Sequence, residues 1–126
     1  MKKIFLLSGL IAAASILPLA VSRAQQVADP NFDAKVAHPA YTKNGPKVLF
    51  DEAHNNFHTA SGRYKPFADL ITNDGYQITP NKEKFSAAVL KGFDVMVISN
   101  ALGAERMNML EASNAAFTPE EWGDLY

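Results

Sequence analysis

The alternation of apolar and polar positions changes period several times along the chain, and those changes predict strands and helices in turn. Residues 48–51, Val-Leu-Phe-Asp, form a short apolar run that ends abruptly in a polar cluster: Asp51, Glu52, Ala53, His54, Asn55, Asn56, Phe57, His58 and Thr59. A run of that length, bounded in that way, suits a buried strand followed by a loop. Tyr64, Phe67, Ala68 and Ile71 then recur at i, i+3, i+4 and i+7, the apolar stripe of a helix opening near residues 63–65. Pro66 falls in its first turn, where a missing N–H costs little. Gly75 is the expected stop, with Ile71 and Tyr76 at the positions that meet in a Schellman ending.

A short second strand is expected over residues 76–78. Thr79-Pro80 reads as the N-cap and first residue of a second helix, with Phe85, Ala88 and Val89 on its buried side and Gly92 closing it. Phe93-Asp94-Val95-Met96-Val97-Ile98 is nearly continuously apolar and β-branched, the pattern of a strand covered on both faces, and it ends at Ser99-Asn100. Residues 101–116 carry conflicting signals: Met107, Leu110 and Glu111 permit a helical turn, while Gly103, Ser113 and Asn114 favour a loop. Thr118-Pro119-Glu120-Glu121 then opens a third helix, with Thr at the N-cap and Glu three places on forming a capping box.

Strands joined through helices are most economically parallel, with right-handed crossovers. The expected fold is therefore α/β with parallel strands, in the order 2-1-3 usual for flavodoxin-like sheets. The carboxyl ends of the first and third strands then share one sheet edge, which is where open α/β sheets bind ligands. Asp51, Glu52, His54, Asn55, Asn56, His58 and Thr59 from one strand end, with Ser99 and Asn100 from the other, make the candidate ligand set. In this order the strand from Phe93 to Ser99 lies at an edge, a hazard for self-association. A βαβαβ pattern that opens another helix normally returns to another strand, so the chain reads as the N-terminal part of a longer domain.

The first 24 residues are set apart. Lys2 and Lys3 precede an apolar stretch over residues 4–16, Pro18 breaks it, and Ser22-Arg23-Ala24 places small residues for a cut before Gln25. That is the pattern of a secretory signal peptide, and it predicts a periplasmic or extracellular protein with no stable membrane span after cleavage. Residues 25–46, with Pro30, Pro39 and Pro46, read as an extended arm whose Val27, Phe32, Val36 and Tyr41 pack along the body. Residues 47–126 carry the domain. Cleavage would remove Lys2, Lys3 and Arg23 and no acid, moving the formal charge of the 126-residue chain from −1 to −4. A mildly acidic domain without a basic stripe is a poor partner for nucleic acid. The absence of cysteine excludes disulfides, thiolate metal sites and anchoring through a lipidated cysteine.

Several chemistries fit the polar cluster. Asp51, His54 and His58 could bind a divalent metal, since carboxylate and imidazole suit zinc, manganese or iron. The plainer reading makes Asp51 a cap for the loop, with the imidazoles bonded to backbone and to Asn55 or Asn56. Acid–base work by Asp51 or Glu52 with His54 needs a pocket and shifted pKa values, and adjacent strand residues point to opposite faces, so only one of the pair would serve. Asp51-Glu52-Ala53-His54 also spells a helicase box, but no Gly-rich phosphate loop precedes it.

The stretch over residues 48–59, Gly62-Arg63-Tyr64, Asp74-Gly75-Tyr76, residues 94–101 and Ala116-Phe117-Thr118-Pro119-Glu120-Glu121 together resemble exported bacterial domains of the DUF4350 type. These are placed with the class I glutamine amidotransferase-like, flavodoxin-like proteins. The resemblance implies a three-layer fold of parallel strands, of which this chain lacks the part after the third helix. Amidotransferases of that class use a cysteine nucleophile; with none here, that activity is not implied. The favoured function is non-catalytic binding of a polar small molecule or sugar at the strand ends. The alternatives are a hydrolase, metal-assisted or not, using Asp51, His54 and His58, and a truncated remnant without a function of its own.

Overall fold

The computed structural model describes residues 26–105 and 113–125. The predicted signal segment and Met107, Leu110 and Glu111 lie outside the described residues. Six elements follow in order: β1 (Lys47–Asp51), α1 (Lys65–Asn73), β2 (Gln77–Asn81), α2 (Ala87–Leu90), β3 (Val95–Val97) and α3 (Pro119–Leu125). The strands form one parallel sheet in the order β2-β1-β3, so the fold is α/β with β1 at its centre.

Central placement explains the apolar run of β1. Val48, Leu49 and Phe50 are almost wholly buried, because neighbours cover both faces of the strand. Phe50, Ala60 and Ala68 form the core cluster, with Tyr64, Ile78 and Val97 packed against it. Burying a side chain the size of Phe50 contributes about 2–3 kcal/mol. α1 ends as expected: Gly75 N–H donates to the Thr72 carbonyl and Tyr76 N–H to the Ile71 carbonyl, at 3.0 Å each, with Gly75 at φ 98°.

The arm docks on that helix end. Tyr41 N–H donates to the Asp74 carbonyl and Ala40 N–H to its side chain, while Asn73 donates to the Ala34 carbonyl. Polar bonds do more of this work than apolar packing, since Val27 and Phe32 stay exposed.

Three expectations need correction. Thr79 and Pro80 lie within β2 and do not start a helix. Gln77 N–H donates to Pro46 and Asn81 accepts from Glu52 N–H, so odd-numbered β2 residues turn their amides toward β1. Pro80 therefore occupies an outward position on an edge strand, where its missing donor breaks no ladder bond. The second helix is a single turn capped by Ser86, whose Oγ accepts from Val89 N–H at 3.2 Å. Lastly, β3 is not covered on both faces: Val95, Met96 and Ile98 are each about two-fifths exposed, at 41%, 36% and 40%.

Candidate functional site

Asp51 ends β1 and is fully buried, so both its oxygens need partners within the protein. Its Oδ1 accepts from Ala53 N–H at 3.1 Å and faces His54 Nδ1 at 2.8 Å, and its Oδ2 accepts from Asn56 Nδ2 at 2.9 Å. The chain turns sharply here, and Asn55 takes a left-handed conformation at φ 49° that asparagine tolerates better than most residues. Asn56 is the hub of the turn. Its Oδ1 accepts from His54 N–H, and its Nδ2 also donates to the Ser99 carbonyl at 3.0 Å, tying the end of β1 to the end of β3.

His54 is also fully buried, its ring packed against the stacked pair Phe85 and Phe117, with centroids 4.7 and 4.6 Å away. Its Nε2 lies 2.7 Å from Oε1 of Glu121, on α3. Glu121 Oε1 accepts from Phe85 N–H at 3.0 Å, and Oε2 accepts from Thr118 N–H at 2.8 Å. Thr118 Oγ1 in turn accepts from Glu121 N–H, completing the capping box. The same carboxylate thus caps its helix and pins it to the β1 loop.

Electrostatics follow from this geometry. Burial alone would raise the Glu121 carboxyl, but the Thr118 N–H, the His54 ring and the Phe85 N–H outweigh it and hold it at about 2. A neutral imidazole has one N–H and can donate to only one carboxylate. With a carboxylate oxygen at each ring nitrogen, only the doubly protonated ring donates to both. The two carboxylates sit at opposite ends of the ring and do not converge on a point where an ion could bind. Among the described residues no group of three or more metal-ligating side chains is placed to hold a metal ion.

The other predicted residues divide by role. Glu52 Oε1 accepts from Ala60 N–H at 2.9 Å and closes the loop, while the Thr59 carbonyl accepts from Gly62 and Tyr64 N–H. Leu102 N–H donates to the His54 carbonyl, and Asn55 Nδ2 donates to the Leu102 carbonyl, so the loop after β1 and the segment after β3 are laced together. Asn100 is exposed, at φ 49°. His58 is buried against Tyr64, stacked at 4.8 Å, and its pKa is lowered first by burial and then by the Arg63 charge. Its Nδ1 and the buried Ser99 Oγ have no hydrogen-bond partner among the described residues.

The expected convergence of the β1 and β3 ends is present, but Asp51 and His54 do not open onto it with Asn100. Asp51 turns inward onto His54, and His54 onto Glu121, which the sequence marked only as a helix-capping residue. Phe85 and Phe117 carried no signal for their place on the His54 ring. Chemically, His54 has no free ring nitrogen and no solvent access, so it cannot exchange a proton with a ligand while α3 is docked. Among the described residues, His58 Nδ1 and Ser99 Oγ are the buried side-chain atoms left without a hydrogen-bond partner. Compared with known proteins, the chain matches no protein-family model, no curated protein and no solved structure.

Proposed function

We propose that this chain is an exported domain of three-layer, flavodoxin-like type, related to the DUF4350 group, that binds a polar small molecule such as a sugar without transforming it. The ligand lies at the carboxyl edge of the sheet, between the loop after β1 and the segment after β3. In the order β2-β1-β3 the chain leaves β1 toward one side and later returns on the other. The crevice between β1 and β3 is therefore the topological switch point, the usual ligand position in such sheets.

The observation that carries this reading is that two buried polar atoms are left without a hydrogen-bond partner, His58 Nδ1 in the loop after β1 and Ser99 Oγ just after β3. Buried polar groups in folded proteins are nearly always bonded, to protein, water or ligand. A hydroxyl both donates and accepts, so a polyhydroxylated ligand matches a serine hydroxyl and a neutral imidazole whichever tautomer the ring takes. The exposed side chains of Asn55 and Asn100 supply further amides at the rim.

Calorimetric titration of the purified protein with neutral sugars and polyols tests this. Binding should weaken about tenfold in S99A or H58F, the loss of a hydrogen bond or so. A panel without binders, or affinities indifferent to both substitutions, would overturn it. The export reading predicts mature protein beginning at Gln25, checked by N-terminal sequencing of the exported material.

A further inference from the structure

The loop after β1 carries a positive charge that the rest of the chain leaves unanswered. Arg63 lays its guanidinium on the Phe57 ring, 3.7 Å from the centroid, and that contact fixes the position of the charge. Among the described residues no carboxylate forms an ion pair with it. The nearest acids on either side in the sequence are already engaged: Glu52 accepts from Ala60 N–H, and Asp69 pairs with Lys65. Tyr64, the next residue, is the N-cap of the nine-residue α1, with no side-chain cap and no acid in the first turn. The positive end of that helix dipole therefore adds to the Arg63 charge. His58 supplies an independent observation. It is only 6% exposed, its ring is stacked on Tyr64 at 4.8 Å with Phe57 5.8 Å away, and its Nδ1 has no partner. Burial and then the Arg63 charge lower its pKa, which keeps the ring neutral at pH 7.

We infer that the ligand of this loop is an acidic sugar of the uronate class, its carboxylate held by Arg63 beside Phe57. The inference rests on the sugar-binding reading above. Three features select that chemistry. A guanidinium presents paired N–H donors that match the two oxygens of a carboxylate, and such charge-assisted bonds are about twice as strong as neutral ones. One guanidinium beside a neutral imidazole balances a single negative charge. That suits a carboxylate better than a phosphate monoester, whose charge is about −1.5 to −2. Phe57 is 54% exposed, so part of its ring stays open to solvent with Arg63 in place and offers a surface for the apolar C–H face of a pyranose. His58 Nδ1 then pairs with a sugar hydroxyl, which donates or accepts as the tautomer requires.

Calorimetric titration of the full chain with matched pairs, galacturonate against galactose and glucuronate against glucose, tests the proposal. At least one acid should bind about tenfold tighter than its neutral partner, the margin of one charge-assisted pair. Added salt should narrow that gap. In R63Q the acid and the neutral sugar should bind alike, while thermal unfolding stays cooperative. R63K, which keeps the charge and loses the fork, should retain part of the preference. Inorganic phosphate should bind less tightly than the acid. Neutral sugars that bind as tightly as their acids, a preference that survives R63Q, or phosphate bound as tightly as the acid would each overturn the carboxylate assignment and leave the sugar-binding reading standing. A chain that binds no sugar, neutral or acidic, would overturn both.

Discussion

His54 Nε2 and Glu121 Oε1 are 2.7 Å apart in space and 67 residues apart in sequence. Glu121 is the buried side chain of α3, and this contact, with Phe117 tilted against the same ring at 4.6 Å, ties the helix to the domain. A carboxylate–imidazole contact this deep is not evidence of high stability in itself, because desolvation offsets much of the attraction. Removing one partner is different, since it strands the other.

Substitution of Glu121 should therefore be among the most damaging in the chain. E121A loses the His54 and Phe85 N–H bonds together with the capping box, and leaves the imidazole facing an empty space. A loss of about 3 kcal/mol is expected, the cost of breaking a buried pair, against about 1 kcal/mol for an ordinary cap. Urea denaturation of the variant beside the wild type measures it. A change under 1 kcal/mol would show that α3 contributes little.

The same residue predicts an acid-dependent stability. Glu121 sits at about 2 in the folded protein, below its ordinary value of 4.5. Between those values the unfolded chain binds more protons than the folded one, so stability falls as pH falls. Glu121's contribution is fully present above about pH 4.5 and is lost on descending toward pH 2. The difference in unfolding midpoint between wild type and E121Q should be constant above pH 4.5 and shrink below it. A difference that holds its size down to pH 2 would contradict the assignment.

Gly75 and Gly92 both adopt positive φ, 98° and 89°, but in different surroundings. A Cβ at Gly75 would overlap the Tyr41 carbonyl, whereas one at Gly92 would meet open space. G92A should cost only the backbone strain, about 1 kcal/mol. G75A should cost more than twice that and release the arm, seen as faster exchange of the Ala40 and Tyr41 amides. Equal costs for the two would mean that the arm does not rest on the helix end.

Much of this protein is legible in the residues alone, wherever the deciding interaction is local. The Schellman stop at Gly75 and the Thr118–Glu121 capping box were readable because each is a contract between residues three to five places apart. The parallel 2-1-3 sheet followed from strand-helix alternation and the handedness of crossovers. Thr79-Pro80 has the local form of a helix start, and only the edge position of β2 allows Pro80 to sit in a strand. The exposure of Val95, Met96 and Ile98 likewise depends on what packs beside β3, which a run of apolar residues cannot disclose. For His54, the sequence determined that a histidine follows a buried strand beside a carboxylate. That its second nitrogen meets Glu121 was decided by the fold, which closes a long loop and brings α3 onto a ring that burial would otherwise leave unpaired.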